Sequence, residues 1–465
     1  MYNTEHFDLL VLGSGEGGKY TAWNVSAHGK KTAVIEERWI GGSCPNTACL
    51  PTKNVIYSAK VVHNARVSSF GLQANQTTVD MKTVIDRKRD MVKGLVDMHI
   101  DNFNKFGSQL ILGRGKFIGK KEIEVIDPYG KVRVLTADNI VVSTGSRAKI
   151  DERVPGLKEA NPLTHIEILE LEVLPSHLVV LGGGYIGLEL AQAMRRLGAQ
   201  VSVIEHNPQI LKNEDADVAG IMRDVLTKEG VKIYTSAQVK LITGTSGTEV
   251  TVEGTSAGES FTIKGSHILV AVGREPNTEN IGLEIAGIGL TESKHIKVDE
   301  YLRTTAEGIF AVGDCAGSPH FTHVAYDDFR VVTSTVLGAK TPRSTKGRQI
   351  PSTLYLSPEV AQVGLREKEA KSLGIEYRLA KAPMLAFLRT RTLGETEGFA
   401  KALIAPDDSI IGFTAVGPGV GDLLPVIQLA MQEKLPYERV RDLIIVHPTL
   451  SEGLVGLFSG VLTKP

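Results

Sequence analysis

The chain has 465 residues, 42% of them hydrophobic and 23% charged, with a formal net charge of -1. These are globular values, and at one domain per ~150 residues the length leads to about three domains. The balanced charge argues against a nucleic-acid binder or a membrane-surface protein, no run of about 20 apolar residues is present to span a bilayer, and three cysteines are too few for a disulfide scaffold.

Met1–His6 is polar and lacks a basic segment, so no secretory signal is expected and the cytoplasm is the expected compartment. Phe7–Leu12 reads as a buried strand. A Gly-x-Gly-x-x-Gly turn follows at Gly13, Gly15 and Gly18, then a helix to His28 and a second strand, Lys31–Ile35, ending in Glu36. This order predicts a dinucleotide site. The glycines let the backbone approach a pyrophosphate, the helix N-terminus faces that anion, and Glu36 accepts from ribose hydroxyls.

Gly41 to Lys53 holds two of the three cysteines, Cys44 and Cys49. The apolar positions Val55, Ile56, Ala59 and Val62 predict a helix, and Pro51 suits its first turn. Cys49 therefore falls near a helix N-terminus, where a thiolate is favoured, with the Lys53 cation one turn on. The pattern points to a redox pair; two buried thiols or a structural zinc are the alternatives. No second Cys or His pair stands at zinc spacing, so no metal is expected.

Asp80–Phe106 reads as a long charged helix and Leu110–Val142 as a small β-meander. Ile140–Ser146 runs a strand into the turn at Thr144 and Gly145, and Asp151–Pro162 reads as a boundary. The glycine turn then recurs. A strand over His177–Leu181 leads to Gly182, Gly184 and Gly187, followed by a helix over 188–197, a strand over Gln200–Ile204, and Glu205. Two such units mean two dinucleotides. An acid at the second strand end suits NADH because it repels the 2′-phosphate of NADPH, and 206–208 supply no arginine for that phosphate. Lys212, the nearest cation, reads as a solvated surface residue.

Two further strands end in glycine turns, at Gly273 and at Gly313-Asp314; Asp314 accepts from a sugar or ribityl hydroxyl or merely stabilises its turn. Cys315 reads as a small buried residue. From about Arg343 short alternating segments (Ser352–Leu356, Val360–Val363, Ala400–Ile404, Ile410–Val416) and helices predict an α+β unit on an antiparallel sheet. Near the end His447 precedes Pro448, with Glu452 five residues on, a possible oriented acid/base pair or a structural one.

Together these motifs resemble the flavoprotein disulfide reductases, the family of dihydrolipoamide dehydrogenase, glutathione reductase and mercuric reductase. The match covers nearly the whole chain. It implies an α/β fold with two Rossmann-like domains and a C-terminal α+β dimerisation domain: FAD-binding parts at 1–148 and 273–345, an NAD-binding domain at 149–272 and an interface domain at 346–465. FAD is assigned to Gly13, Gly15, Gly18, Glu36, Gly42, Ser43, Thr144, Gly145 and Asp314. NADH, rather than NADPH, is assigned to Gly182, Gly184, Tyr185, Ile186, Gly187, Glu205 and Gly273, with Tyr185 covering the nicotinamide pocket. The helix beginning at Phe321–Asp328 would face the flavin pyrimidine, and Lys53 would pair with Glu189 near the flavin.

The resemblance also implies a homodimer with its active sites at the subunit interface. His447 and Glu452 would serve the partner's pair, with Cys49 as the flavin-side sulfur and Cys44 as the exchange thiol. The implied activity is NADH-dependent reduction of a small disulfide. A metal-ion or quinone reductase of the same architecture is the nearest alternative, and a thiol sensor without turnover belongs to a different class. Pro45 and Ala48 depart from close relatives, the stretch after Gly145 is longer than usual, and no C-terminal cysteine pair is present, which disfavours full mercuric reductase and large thioredoxin reductase chemistry. The Phe321–Arg330 stretch looks more like the mercuric- and copper-reductase-like branch.

Overall fold

A computed structural model describes residues 4–67, 71 and 78–461. Met1–Asn3, part of the segment read for a secretory signal, lie outside the described residues. The chain divides into two compact units, residues 1–55, 82–149 and 273–348 in one and 56–81, 150–272 and 349–465 in the other.

The first unit is built on a mixed sheet. Thr4–Leu12 pairs in parallel with Thr32–Glu36 on one side and Val132–Val142 on the other. Its apolar run is continuous because both faces are buried. Leu10 and Leu12 pack with Ile35, Ile140 and Val142 on one face, while Leu9 and Val11 pack with Trp23, Phe103 and Phe310 on the other. The strand begins earlier than its apolar residues because Thr4–Phe7 pair with Val134–Ala137. Gln109–Leu112, expected within the meander, is instead a parallel edge strand beside Thr32–Glu36. The antiparallel meander is Arg114–Gly119, Glu122–Ile126 and Val132–Val142, whose last strand also pairs in parallel with Ile309–Ala311. The long charged helix is Met81–Phe106.

The second unit holds a parallel sheet in the order Lys232–Tyr234, Gln200–Ile204, His177–Leu181, His267–Val270. Against it packs an antiparallel sheet of Ala237–Thr245, Glu249–Ser256 and Glu259–Gly265, with Val179, Leu181 and Ile268 meeting Val250, Val252 and Ile263. The C-terminal part is a five-stranded antiparallel sheet that adds Arg378–Pro383 at its edge to the expected strands. Its core joins Phe413, Ala415 and Ile404 to Ile427, Leu454 and Phe458 of the following helices. No described helix is long and apolar enough to cross a membrane.

Two seams bind the nucleotide-fold part of this unit to its C-terminal part. Along one face of the helix Tyr185–Leu197, Glu189 accepts from Tyr355 N at 2.8 Å, and the Gln192 amide both accepts from Ser357 N and donates to Ser357 O at 2.9 Å. The second seam is ionic. Lys401, 2% exposed, meets Asp215 at 2.8 Å, Asp217 at 2.9 Å and Glu367 at 3.2 Å. Burial alone would raise these three carboxyls, but hydrogen bonds from Lys401 and its neighbouring lysines outweigh it and hold all three low. That stabilisation is present above about pH 4 and is lost as pH falls through the depressed native values. Lys401→Met leaves buried Asp215 without its cation, while Asp217 keeps Lys381 and Glu367 keeps Lys371, so we expect a loss of about 3 kcal/mol in urea unfolding at neutral pH. The loss should shrink in acid; a neutral-pH loss below about 1 kcal/mol, the scale of an exposed pair, would contradict the role.

Candidate active site

The two glycine turns obey one steric rule. Gly13 has φ +97°, and a Cβ there would lie 2.4 Å from Ser143 O; Gly182 has φ +105°, and a Cβ there would lie 2.4 Å from Ala271 O. Each strand end is thus pressed against the neighbouring strand's turn. The helices that follow, Glu16–Ala27 and Tyr185–Leu197, have Gly15 and Gly184 as N-caps with no side-chain cap. Their first N–H groups are left for another acceptor, and a Cβ on Gly184 would meet nothing within 4 Å. An uncapped helix end at both turns, with open space beside the second, fits a diphosphate.

Both acids brace their turns. Glu36 accepts from Ser14 N at 2.8 Å, Ser14 Oγ at 2.6 Å, Arg38 N at 2.8 Å and Trp39 N at 2.9 Å. These four donors match the lone-pair capacity of a carboxylate, so a ribose here would share Glu36 with Ser14. Glu205 takes Gly183 N and Asn207 N, each at 2.7 Å. Lys212 is exposed.

The redox loop is laid across the first turn. A Cβ on Gly42 would lie 2.6 Å from Gly15 Cα. Buried Lys19 donates to Gly41 O at 3.0 Å, and Asn46 Nδ2 donates to Ile40 O and Gly42 O. Ser43 is exposed and opens the short helix Ser43–Asn46. Cys49 is the first residue of the helix Cys49–Arg66, which carries Lys53 one turn on.

Cys44 and Cys49 are not bridged to each other here. The Cys44 thiol is pushed well up, first by its hydrogen bond to Cys49, then by burial and by charge on Cys49. Cys44 is therefore hard to ionise beside Cys49, and the helix N-terminus at Cys49 favours negative charge on that side of the pair.

Cys49 Sγ also lies 3.1 Å from Thr322 Oγ1. Thr322 is the first residue of the helix Thr322–Val336, which likewise has no side-chain cap. Sequence reading missed this hydroxyl, as it missed Arg274 and Asn46. Thr322 also lowers the Cys44 pKa; a hydrogen bond to an ionised partner is worth about 1.5–3 kcal/mol, so Thr322→Val should raise the first thiol ionisation of the Cys44–Cys49 pair by roughly one unit or more. Ultraviolet thiolate absorbance against pH reads this; recovery in Thr322→Ser is expected, and an unmoved titration in Thr322→Val would contradict it.

Asp314 accepts from Ser146 Oγ, and Arg274 Nε donates to that hydroxyl at 2.7 Å while lying 3.7 Å from Asp314 Oδ2. Burial lowers the Arg274 pKa, opposed by the charges of Asp314 and Cys49. The turn itself is held by another acid: fully buried Asp328 accepts from Gly313 N at 2.8 Å and pairs with Arg348 at 2.6 Å. Thr144 Oγ1 donates to Asn277 O at 2.7 Å, and Gly145 has φ +66°. Cys315 is buried against Val142 O and Val312 O.

In the second unit, Tyr185 opens its helix and its hydroxyl donates to Glu214; Ile186 is partly exposed, and Gly273 has φ +128° with open space at its Cβ position. Buried Glu189 stands on the same helix. His447 Nδ1 lies 3.0 Å from both oxygens of Glu452, and the imidazole is 64% exposed. Beside it Ile444 and Val446 are exposed.

Residues 7–328 match the model of a family described as pyridine nucleotide-disulphide oxidoreductase. The chain belongs to this family. Residues 350–457 match the family's dimerisation domain. Dihydrolipoyl dehydrogenases of Mycobacterium tuberculosis and Thermus scotoductus are 33% and 35% identical, over 98% and 97% of this chain and 98% and 96% of theirs. Among solved structures, the Cu(II) complex of the HOCl-induced flavoprotein disulfide reductase RclA from Escherichia coli matches with TM-score 0.89 and 29% identity, covering 98% of this chain and 99% of that one.

A pyridine nucleotide-disulphide oxidoreductase is an NAD(P)H-dependent enzyme, and the family implies FAD besides. The uncapped helix ends and glycine turns fit both cofactors.

Proposed function

We propose that the protein passes electrons from NADH through FAD to the Cys44–Cys49 pair and on to a small disulfide of the lipoamide type. One observation carries the reading: Cys44 and Cys49 form a hydrogen-bonded sulfur pair, with Cys49 at a helix N-terminus and 3.1 Å from Thr322 Oγ1. Gly13, Gly15, Gly18, Glu36, Gly42, Ser43, Thr144, Gly145 and Asp314 hold FAD. Gly182, Gly184, Tyr185, Ile186, Gly187, Glu205 and Gly273 hold NADH, and Lys53 pairs with Glu189. The preference for NADH follows from Glu205 and the lack of arginine at 206–208. The domain limits are 1–148 and 273–345 for FAD, 149–272 for NADH and 346–465 for the interface, and the compartment is the cytoplasm.

Bound FAD supplies the two-electron relay between the nicotinamide and the cysteine pair. The chain's own residues perform the exchange. The Cys44 proton passes to the His447 imidazole, and the Cys44 thiolate attacks one sulfur of the substrate disulfide. A mixed disulfide forms, and the first substrate sulfur leaves and takes its proton from His447. Cys49 then attacks Cys44, releasing the second substrate sulfur. The substrate gains two electrons and the pair loses two, closing the Cys44–Cys49 disulfide. His447 serves the pair of the partner subunit, which accounts for an exposed acid/base beside exposed Ile444 and Val446.

Anaerobic NADH consumption with lipoamide against Cu(II) and a quinone tests the acceptor. Faster turnover with lipoamide is expected. A second reading, reduction of a soft metal ion, is favoured by the likeness to RclA, whose structure is a Cu(II) complex; faster turnover with Cu(II) than with any disulfide would install it.

A further inference from the structure

We infer that Arg366, in the segment matched to the dimerisation domain, is a positioning residue for the nicotinamide dinucleotide, acting through Glu214 on Tyr185. The inference rests on the reading of the second glycine turn as the NADH site. Tyr185 is the first residue after Gly184, and its hydroxyl donates to Glu214. Glu214 is 1% exposed, and Arg366 grips its two oxygens through Nε at 3.0 Å and Nη2 at 2.9 Å.

The segment 211–215 around it is tied on both sides. Toward the turn, Leu211 N donates to Gly183 O at 2.8 Å. Toward the C-terminal part, the Asp215 carboxylate accepts from Glu367 N and Lys368 N, and Lys368 Nζ donates to Lys212 O and Glu214 O. A buried ion pair adds little net stability over an apolar pair of the same shape. What this one supplies is a fixed acceptor for one phenol. Burial and then the Glu214 charge push the Tyr185 phenol up, so it stays protonated and donates. Without Arg366 the buried Glu214 charge is uncompensated and its carboxylate turns toward water, so Tyr185 loses its anchor beside the turn.

The test is calorimetric titration of the full-length, FAD-loaded protein with NAD+, alongside NADH kinetics. Arg366→Met and Tyr185→Phe are each expected to weaken NAD+ binding about tenfold, and the double variant no further, because both remove one coupled interaction. Arg366→Met should raise KM for NADH and leave kcat unchanged. Arg366→Lys, a point donor in place of a fork, should fall between wild type and Arg366→Met. Tyr185→Phe keeps the Glu214–Arg366 pair and decides the matter if Arg366→Met does not fold. Unchanged NAD+ binding in the folded single variants, or additive losses in the double, would overturn the inference. Wild-type protein that binds no NAD+ would overturn the reading of the turn instead.

Discussion

Cys44→Ser is expected to cut disulfide turnover by about a thousandfold or more, the scale seen when an acting nucleophile is removed. The hydrogen-bonded pair makes this effect selective. In the dithiol the Cys44 pKa is raised by its hydrogen bond to Cys49, by burial and by charge on Cys49. Serine keeps a hydroxyl beside Cys49 but cannot form the mixed disulfide. Cys49 Sγ, at its helix N-terminus and 3.1 Å from Thr322 Oγ1, is left in place. Stopped-flow kinetics should therefore show NADH still oxidised in a first turnover while steady lipoamide reduction is lost. Wild-type steady-state rates in Cys44→Ser would remove Cys44 from the exchange step.

His447→Gln is expected to lower kcat for disulfide reduction by about a hundredfold or more, as for loss of a positioned acid/base. Glu452 brackets Nδ1 with both oxygens at 3.0 Å, which assigns the Nδ1 proton to that contact and leaves Nε2 to carry protons. Glutamine keeps a polar group there and titrates nothing. If the imidazole serves the partner subunit, Cys44→Ser and His447→Gln chains should complement each other when refolded together. Half of randomly paired dimers are mixed, and each has one intact site, so about a quarter of wild-type activity should return. No recovery in dimers shown to be mixed would place His447 outside the partner's site.

The glycine turns were legible because their spacing is dictated by local sterics: Gly13 and Gly182 sit where a Cβ would strike the neighbouring strand's turn. The position of Cys49 was legible for the same kind of reason, an apolar helix pattern beginning beside it. Thr322 was not, because it meets Cys49 across 273 residues of chain and nothing local to either marks the contact. Nothing local marks Lys401, Asp215 and Glu367 either; only the fold brings them together and buries the lysine among them. Gln109–Leu112 was grouped with the meander because alternation alone does not distinguish a parallel edge strand from a hairpin arm. Asp314 stands in the turn after Gly313, but the acid that holds the turn is Asp328, on a helix whose sequence announces no such role.

The most direct test of the central claim is anaerobic titration of the yellow, FAD-loaded protein with NADH, followed by visible absorbance. Electron flow into the cysteine pair predicts a long-wavelength charge-transfer band from the Cys49 thiolate to oxidised flavin after two electrons per chain. Direct bleaching of the flavin without that band would contradict it, placing Cys44 and Cys49 outside the electron path.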